Sequence, residues 1–568
     1  MNCHMKLNEN AANRYSYVGE IYNEGEKSRK QKILSTMSPV WRGLHENGYI
    51  HIHDLDAYGL TNNCLTFNIL ADFPYSRFKL DTDSQYYRII STFDYLKSLF
   101  ADIGNEQSGG MALANFDNDV ATILETLKVE LDNVSREIIA ACIRDLIEWC
   151  NHTHTRMGQT SYYVSFNIGL ADSEMAHFLA FTLIDEFEKA GDLVYKPNII
   201  FKVCRGVNRD ECDRNYDLFV KSLRCTAKKM IPTYLLCDCK MDADVNPAKL
   251  SVMGCRTRVV NDLFGEDTSI GRGNIDNISI NLPRLAFETV TENPEANLEN
   301  KYIIFKEKWD SVANITKDIL IDRFNQVCNR TKDDFPINTN HRLWLIPFED
   351  PKEVFKHGTL SIGFIGLSEA IEIITGKRFY NDDYAYNLAL CFVKHMRQYC
   401  DTLRDKYHLN FSLLATSGEL ISGRFIDIDR KQFNGFDAIC EKGYYTNSFH
   451  INVDSDLPAF QKIQKEGVFH EYCNGGCITY AELSEAPLSN DEGLREYIEF
   501  AIQNGVHYLG FNFPKDVCDE CGKSGIFDEC PVCNSKHITH IRRVSGYLEI
   551  LDCFTTGKKN EVKARRSN

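Results

Sequence analysis

The sequence predicts an α/β protein with a largely parallel sheet, because short apolar runs alternate with long amphipathic helices along most of the chain. Its 568 residues suffice for one large α/β barrel with additions or for three or four smaller domains. Apolar residues make up 43% of the chain and charged residues 25%, the usual balance of a globular protein. This composition excludes a disordered chain, a fibrous protein and a small disulfide-rich secreted domain.

The predicted helices are stretches in which apolar residues recur at helical spacing. The first runs from Ser38 to Glu46 and precedes the short segment YIHIHDLD. Another is expected over 173–190, where Ser173 is a suitable N-cap and Glu174 follows it. The remaining predicted helices cover residues 85–103, 118–131, 134–150, 297–330 and 380–407.

The predicted strands are short runs of β-branched and aromatic residues between those helices. Such runs, separated by long helices, are typical of parallel strands joined by crossover connections. The runs are YYVSFNIG at 162–169, NIIFKV at 198–203, YLLCDC at 234–239 and NISINLP at 277–283.

The charge balance limits the classes of partner that the chain can have. Its formal net charge is −16 and its pI about 5.5, which disfavours bulk binding of nucleic acid or anionic membranes. No apolar run approaches the ~18 residues of a membrane span. The N-terminal stretch MNCHMKLNENAANRYS lacks the apolar centre of a signal peptide. We therefore expect a cytoplasmic protein without direct nucleic-acid or membrane partners.

The 21 cysteines are expected to be mostly reduced thiols, since nothing in the sequence directs the chain to an oxidising compartment. A free cysteine is commonly a small buried apolar residue. Two pairs stand out, Cys518/Cys521 and Cys530/Cys533, because each CxxC can close a tight turn whose sulfurs face one point. Together they predict a closed tetrahedral zinc site with a structural role. Two redox-active pairs or an iron–sulfur cluster are the alternatives.

A short segment beyond these cysteines reads Arg-Arg-Val-Ser-Gly-Tyr-Leu over residues 542–548. Taken alone, Gly546 would indicate a tight turn. The segment resembles the radical loop of glycyl radical enzymes, whose pattern is close to R-V-x-G-Y. A radical at a glycine α-carbon needs a planar centre, and a side chain would disturb that planarity and obstruct the approach of a cysteine thiol.

Several further motifs resemble those of anaerobic (class III) ribonucleotide reductases, in the order found in that family. TNNCL at 61–65 and MGCRT at 253–257 are similar to its two cysteine segments, and YTNSFH at 445–450 matches a third motif. GRGN at 271–274, followed by INLPR at 280–284, matches its G-R-x-N…NLPR run. The chain is thus identified as a member of the formate-using branch of that family.

The resemblance implies a ten-stranded α/β barrel around a central finger loop, with a small C-terminal zinc domain and a radical loop. It places the barrel, with an N-terminal helical segment and the effector and dimer helices, at 1–510, the four-cysteine zinc domain at 511–540 and the radical loop at 541–568. No ATP-cone domain is expected, and hence no overall dATP switch.

The resemblance also implies the roles of the central residues. Gly546 would store the radical, Cys255 at the fingertip would become a thiyl that abstracts the 3′-hydrogen, and Cys64 would supply a hydrogen as water leaves from C2′. Asn274 would hydrogen-bond formate or substrate, or would simply follow a turn. Gly254 occupies the position at which formate-independent relatives are expected to carry an extra cysteine, which favours formate as the reductant.

The substrate phosphates need hydrogen-bond donors. Thr416 ends the strand-like run FSLLAT, and Ser417 and Gly418 lead from it into a predicted helix. This is a suitable geometry for phosphate or a simple N-cap. Asn447 of the YTNSFH motif is a further candidate for substrate binding. For His51, His53 and Asp54, nucleotide contact and organisation of the barrel mouth are equal alternatives.

The expected partners are ribonucleoside triphosphates, dNTP or ATP effectors at a specificity site, a second copy of the chain, and a radical-SAM activating enzyme with a 4Fe–4S cluster. Another glycyl radical enzyme, formate-lyase-like or a dehydratase, is the alternative function. That reading requires paired cysteines or a Cys…Glu fingertip, which Gly254-Cys255-Arg256 does not provide.

Overall fold

A computed structural model describes residues 17–153, 163–265, 267–341, 350–433, 435–543 and 545–567. Within these ranges it contains eighteen α-helices and seventeen strands. The helices are α1 (Tyr17–Thr36), α2 (Pro39–Glu46), α3 (Gln85–Ile103), α4 (Phe116–Thr126), α5 (Asn133–His152), α6 (Glu174–Lys189), α7 (Tyr216–Lys229), α8 (Leu282–Glu292), α9 (Leu298–Cys328), α10 (Pro336–Asn340), α11 (Pro351–Phe355), α12 (Leu367–Thr375), α13 (Asp383–Tyr407), α14 (Ile421–Asp429), α15 (Asp437–Cys440), α16 (Ala459–His470), α17 (Asp491–Gln503) and α18 (Thr556–Ala564). The strands are β1 (Ile50–Ile52), β2 (Cys64–Thr66), β3 (Met111–Leu113), β4 (Val164–Ile168), β5 (Asn198–Val203), β6 (Thr233–Leu236), β7 (Ser251–Met253), β8 (Thr257–Val259), β9 (Arg272–Asn281), β10 (Thr359–Ile365), β11 (Asn410–Ala415), β12 (Thr479–Glu482), β13 (Tyr508–Asn512), β14 (Lys515–Cys518), β15 (Ser524–Gly525), β16 (Ile538–Arg543) and β17 (Leu548–Ile550).

The predicted elements are present, with some displaced ends. The helix predicted over 118–131 is α4, which ends at Thr126 because Lys128 takes a left-handed φ of 53°. The run predicted over 234–239 keeps its strand only to Leu236, after which the chain turns. Position 162 of the predicted run 162–169 lies outside the described residues.

The strand predicted over 277–283 is the long strand β9, which starts five residues earlier, at Arg272. It does so because its first residues pair with β2, so the Gly271–Asn274 segment enters the sheet. It ends at Asn281, whose side chain accepts a hydrogen bond from the backbone N–H of Arg284 and caps α8.

The main sheet is a ten-stranded barrel with β1 added to β9, in the order β11-β10-β9-β2-β3-β4-β5-β6-β13-β12. Strands β2–β6 form one parallel half, and β9–β13 form the other. The halves meet antiparallel at β2/β9 and β6/β13. The barrel closes where the backbone N–H of Ala415 donates to Gly476 O and that of Gly475 to Leu413 O. The predicted fold class is confirmed.

Inside the barrel, β7 and β8 form an antiparallel hairpin, the fingertip hairpin, with Gly254, Cys255 and Arg256 at its tip. Asn167 on β4 fixes it, because its amide donates to Val252 O and accepts from Val252 N–H, both at 3.0 Å. Gly254 has a φ of 57°, a conformation that glycine adopts without strain.

The C-terminal part forms a second sheet of β15, β14, β16 and β17 outside the barrel. Two of its strands, β16 and β17, are a second hairpin, the radical hairpin, with Gly546 near its tip. β16 crosses the boundary predicted between 540 and 541, because one sheet carries both the cysteine pairs and the glycine loop. β13 likewise carries the barrel to Asn512, past the boundary predicted at 510. Among the described residues, no helix is long and apolar enough to span a bilayer.

Candidate active site

A cavity of about 120 Å³ lies at the barrel mouth where β11 ends and β2 begins. Both hairpins reach it, the fingertip hairpin from inside the barrel and the radical hairpin from outside. Seven of the residues predicted from the sequence line it: His53, Asp54, Cys64, Cys255, Thr416, Ser417 and Gly418.

Cys64 is a buried thiol on the first residue of β2. Its sulfur donates to Asn63 Oδ1 at 2.8 Å and accepts from the backbone N–H of Gly110 at 3.1 Å. Burial raises the pKa of Cys64 to about 12. A Cβ at Gly109 would lie 2.5 Å from this sulfur, so the glycine makes room for it. The thiol therefore keeps its hydrogen at neutral pH, as a hydrogen-atom donor must.

Cys255 sits at the fingertip and is also held as a neutral thiol, since burial raises its pKa far above the usual value. Gly546 packs directly on its backbone. A Cβ on Gly546 would lie 1.6 Å from the carbonyl oxygen and 2.8 Å from the Cα of Cys255. Only glycine can occupy position 546 in this arrangement.

Glu419 is a site residue that the sequence motifs did not predict. Its carboxylate accepts hydrogen bonds from Ser545 Oγ at 2.9 Å, Tyr547 OH at 2.7 Å and Cys255 Sγ at 3.3 Å. Its backbone oxygen accepts from Thr555 Oγ1 at 2.9 Å. Burial raises its pKa, although these donors oppose that effect. One side chain thus ties the fingertip to both neighbours of Gly546.

Asn274 lies behind the wall of this cavity. It pairs with Cys64 across β2 and β9, and its backbone oxygen accepts from the N–H of Asn63 at 2.8 Å. Its amide nitrogen donates to Ser361 Oγ at 3.3 Å, whereas the buried Oδ1 has no hydrogen-bond partner among the described residues. An unpartnered buried oxygen is costly, so a ligand or water at this point is expected.

The predicted phosphate segment turns at the cavity before α14 begins at Ile421. Within the described chain, the backbone N–H groups of Ser417, Gly418 and Glu419 donate to no protein acceptor. Thr416 Oγ1 contacts Ser279 Oγ at 2.8 Å. These groups are available to an anionic ligand.

Of the other residues predicted to contact a nucleotide, His53 and Asp54 line the cavity, whereas His51 and Asn447 do not. Asp54 accepts from the Asn63 amide at the cavity, and His53 Nε2 contacts Ser279 Oγ at 2.9 Å. His51 is buried beside His53, outside the cavity lining. Asn447 is also outside it, and its Oδ1 accepts from Lys558 Nζ of the C-terminal helix at 3.1 Å.

The four C-terminal cysteines converge as predicted. The sulfur pairs Cys518–Cys533 and Cys521–Cys530 are both 3.5 Å apart, and all four sulfurs lie within 4.8 Å of one another. Sulfurs about 2.3 Å from a tetrahedral zinc ion would be about 3.8 Å apart. The donor set and spacing therefore suit zinc held by four thiolates.

The radical hairpin is anchored to the barrel next to this cluster. Arg543, the last residue of β16, is fully buried and donates through Nε to Phe511 O at 3.2 Å and through a terminal nitrogen to Met230 O. Phe511 belongs to barrel strand β13. The cysteine cluster and Gly546 are thus held on one sheet, which Arg543 attaches to the barrel. Glu549 of β17 and Lys515 of β14 add bonds to Tyr195 and Asp192, both at 2.7 Å.

Comparisons with known proteins agree with this geometry. The chain is 28% identical over 565 residues to the anaerobic ribonucleoside-triphosphate reductase of Escherichia coli, covering 92% of this chain and 77% of the relative. It is 27% identical to the enzyme of that name from Enterobacteria phage T4, covering 92% and 90%. A solved anaerobic ribonucleotide reductase superposes with a TM-score of 0.73 at 15% identity, covering 97% of this chain and 90% of that chain.

The sequence profile of the anaerobic ribonucleoside-triphosphate reductase family matches residues 9–567, nearly the whole chain. The chain belongs to the anaerobic ribonucleoside-triphosphate reductase family.

Proposed function

We propose that this chain reduces ribonucleoside 5′-triphosphates to 2′-deoxyribonucleoside triphosphates by glycyl and thiyl radical chemistry, with formate as reductant. The observation that carries the proposal is the contact of Gly546 with the backbone of Cys255, at a cavity that Cys64 also lines. Hydrogen-atom transfer requires reacting atoms within about 3–3.5 Å, and this packing brings the two segments together.

The two thiols have different tasks. The Gly546 radical takes the hydrogen of the Cys255 thiol, and the resulting thiyl abstracts the 3′-hydrogen of the ribose. Departure of the 2′-hydroxyl as water then becomes feasible, and Cys64 supplies a hydrogen atom to C2′, which leaves a Cys64 thiyl and a 3′-carbonyl. Formate gives a hydrogen atom to that thiyl, and its remaining electron, with one proton, reduces the 3′-carbonyl as CO₂ is released. Cys255 then returns the hydrogen to C3′. The raised pKa values support this, because a thiolate has no hydrogen atom to give.

Formate balances the reaction: ribonucleotide, formate and one proton yield deoxyribonucleotide, CO₂ and water. Asn274 supports this choice, since its buried amide lies against the Cys64 strand and has an unpartnered oxygen. Gly254 supports it too, because no thiol adjoins Cys255 in sequence to form a disulfide in place of formate oxidation.

Glu419 serves as a positioning residue. Its hydrogen bonds to Ser545 and Tyr547 hold the residues on both sides of Gly546, and its bond to Cys255 holds the thiol. The spacing of the glycine and the cysteine is thereby set by one carboxyl group.

Cys518, Cys521, Cys530 and Cys533 would hold a structural zinc ion, which cross-links the sheet that carries Gly546. A radical-SAM enzyme with a 4Fe–4S cluster would generate the glycyl radical. Substrates would bind through the segment at Thr416, Ser417 and Gly418. We also propose that effector nucleotides bind at a specificity site and that two copies of the chain form a homodimer. A solved anaerobic ribonucleotide reductase from Thermotoga maritima is in complex with dATP and CTP.

Anaerobic activation by a radical-SAM activase tests the proposal. We expect a glycyl doublet in the EPR spectrum, and in air a chain cut at Gly546 that releases residues 547–568. Labelled formate should yield labelled CO₂ in step with dNTP. Full turnover with thioredoxin or a dithiol in formate-free buffer would overturn the reductant, and an activated chain that stays intact in air would overturn the radical.

A further inference from the structure

A second cavity, the rear cavity, of about 380 Å³, lies at the opposite mouth of the barrel. Thr359 and Asn410, the first residues of β10 and β11, line it. Leu414 and Thr416, at the other end of β11, line the cavity of about 120 Å³ that holds Cys64 and Cys255, from here on the catalytic cavity. The two cavities therefore face each other along the barrel interior.

The rear cavity is lined by five cations, one more than the carboxylates that pair with them, although the chain carries a net charge of −16. The cations in its lining are Lys240, Arg258, Arg272, Arg397 and Arg404. The first three are paired with Glu471, Asp242 and Asp262, respectively. Arg397 bonds a carboxylate of its own helix, Asp401, at 2.8 Å. Among the described residues, no carboxylate pairs with Arg404. The charge of Arg404 is therefore not neutralised by a neighbouring carboxylate, and it can attract a small anion into the rear cavity.

One layer of small polar side chains separates the rear cavity from the catalytic cavity. Ser412 lines the rear cavity, and its hydroxyl lies 2.8 Å from that of Ser361. Ser361 in turn accepts from the amide of Asn274 at 3.3 Å, and Asn274 pairs with Cys64 of the catalytic cavity. The unpartnered Oδ1 of Asn274 lies in this layer.

We propose that the rear cavity collects formate and admits it through the Ser361–Ser412 layer to Asn274. This inference rests on the formate-dependent function proposed above. A nucleotide in the catalytic cavity would block access to Asn274 from that mouth of the barrel. An entrance from the rear cavity would still let the reductant arrive after the substrate. Formate has three heavy atoms, and the hydroxyls and amide replace part of its hydration. A nucleotide is too large to pass the layer.

The test neutralises the two arginines of α13 in the full-length, activated enzyme. In the double variant Arg397→Gln/Arg404→Gln, kcat/KM for formate should fall about fivefold, because the local anion concentration falls. The KM for the nucleotide and the yield of glycyl radical should not change. The control is Arg495→Gln, which removes an arginine that likewise bonds a carboxylate of its own helix, Glu492, but lies outside the rear cavity.

A second pair of variants tests the layer itself. Ser412→Val fills the layer with methyl groups and should lower kcat/KM for formate more than Ser412→Ala, which leaves room. In both, substrate-independent radical yield reports correct folding. Raised ionic strength should lower kcat/KM for formate in the wild type and less in the double variant.

The outcomes separate the two proposals. Wild-type turnover without formate would overturn the proposed reductant. Formate-dependent turnover whose kcat/KM for formate equals the wild-type value in the double variant and in Ser412→Val would overturn the rear entrance alone. A parallel rise in the KM for the nucleotide would also overturn it, because the effect would then lie in the catalytic cavity.

Discussion

The two hairpins that meet at the catalytic cavity are held in opposite ways. The fingertip hairpin is fixed from within the barrel, by paired hydrogen bonds between Asn167 and Val252. The radical hairpin is fixed from outside, by the cysteine cluster on its sheet and by Arg543 on the barrel. Cys255 is therefore part of the barrel core, whereas Gly546 depends on a small peripheral sheet.

This difference has an energetic basis. A core hairpin shares the burial of the whole barrel, but four short strands bury little apolar surface and need a covalent or metal cross-link. Damage to the periphery should thus remove the glycine from its position and leave the thiol in place. The variants below test that separation, from the largest expected effect to the smallest.

Gly546→Ala should abolish dNTP formation completely. Its Cβ would lie 1.6 Å from the Cys255 carbonyl oxygen, so the hairpins could not meet, and no stable α-carbon radical should form. EPR after activation and chromatography of dNTP check this. Gly191→Ala is the control, since a Cβ there meets nothing within 4 Å. A normal doublet in Gly546→Ala would contradict the assignment.

Cys255→Ala and Cys64→Ala should both abolish turnover, but at different steps. Cys255→Ala should keep an activatable Gly546 and show no substrate-dependent radical loss and no exchange of the 3′-hydrogen. Cys64→Ala should start the reaction, consume the radical and release free base. Freeze-quench EPR and substrate tritium exchange distinguish them. Identical behaviour of the two variants would show that Cys255 and Cys64 do not have the different chemical roles proposed for them.

Cys518→Ser should lose metal and most of the radical yield while the fingertip stays intact. Removing one of four ligands destabilises the sheet that carries Gly546. Metal analysis, expected to give about one zinc per chain in the wild type, and spin quantification measure the effect. Cys212→Ser, at an exposed thiol outside the cluster, is the control. A zinc-free protein that activates normally would show that the position of Gly546 does not depend on the cysteine cluster.

Glu419→Gln should lower turnover per radical about tenfold, the cost of weakening charge-assisted hydrogen bonds. The amide retains one acceptor oxygen for the donors of Ser545, Tyr547 and Cys255. Radical yield should change less than substrate-dependent radical loss, because positioning rather than radical storage is affected. Ser545→Ala and Tyr547→Phe should each have part of this effect. An unchanged rate in Glu419→Gln would remove its positioning role.

Sequence motifs singled out Cys255 and Gly546, which lie at the tips of the two hairpins, and the two CxxC pairs. This was possible because each motif occupies one short segment of the chain. The motifs could not predict the role of Glu419, whose partners lie more than 100 residues away in both directions, at Cys255 and Ser545. The length of β9 was missed for the same reason, since its first residues become a strand only by pairing with β2. Asn447 is the opposite case, since its motif could be recognised in the sequence but its surroundings could not. Its amide oxygen contacts Lys558, and the residue does not line the catalytic cavity.

The smallest expected effect concerns the helix α18, which follows the radical hairpin and docks on the barrel. Buried Glu561 bonds Lys558 at 2.6 Å and Arg565 at 2.9 Å. Burial alone would raise its pKa, but these two cations outweigh it and lower the pKa of Glu561 to about 2. A lowered carboxyl pKa stabilises the folded state above the ordinary value of 4.5, and this stabilisation is lost as the pH falls towards 2.

Glu561→Gln should therefore leave buried Lys558 and partly buried Arg565 without their carboxylate and loosen α18 at neutral pH, by an amount on the order of 3 kcal/mol. Hydrogen exchange of α18 measures the difference from the wild type, which should be full at about pH 6 and shrink below about pH 4.5. Glu492→Gln, which breaks a surface pair with Arg495, is the control and should have little effect. A difference that stays constant down to about pH 3.5 would show that Glu561 acts by packing and not by its charge. Exchange in the fingertip hairpin should not change in either variant, because Asn167 holds that hairpin from inside the barrel.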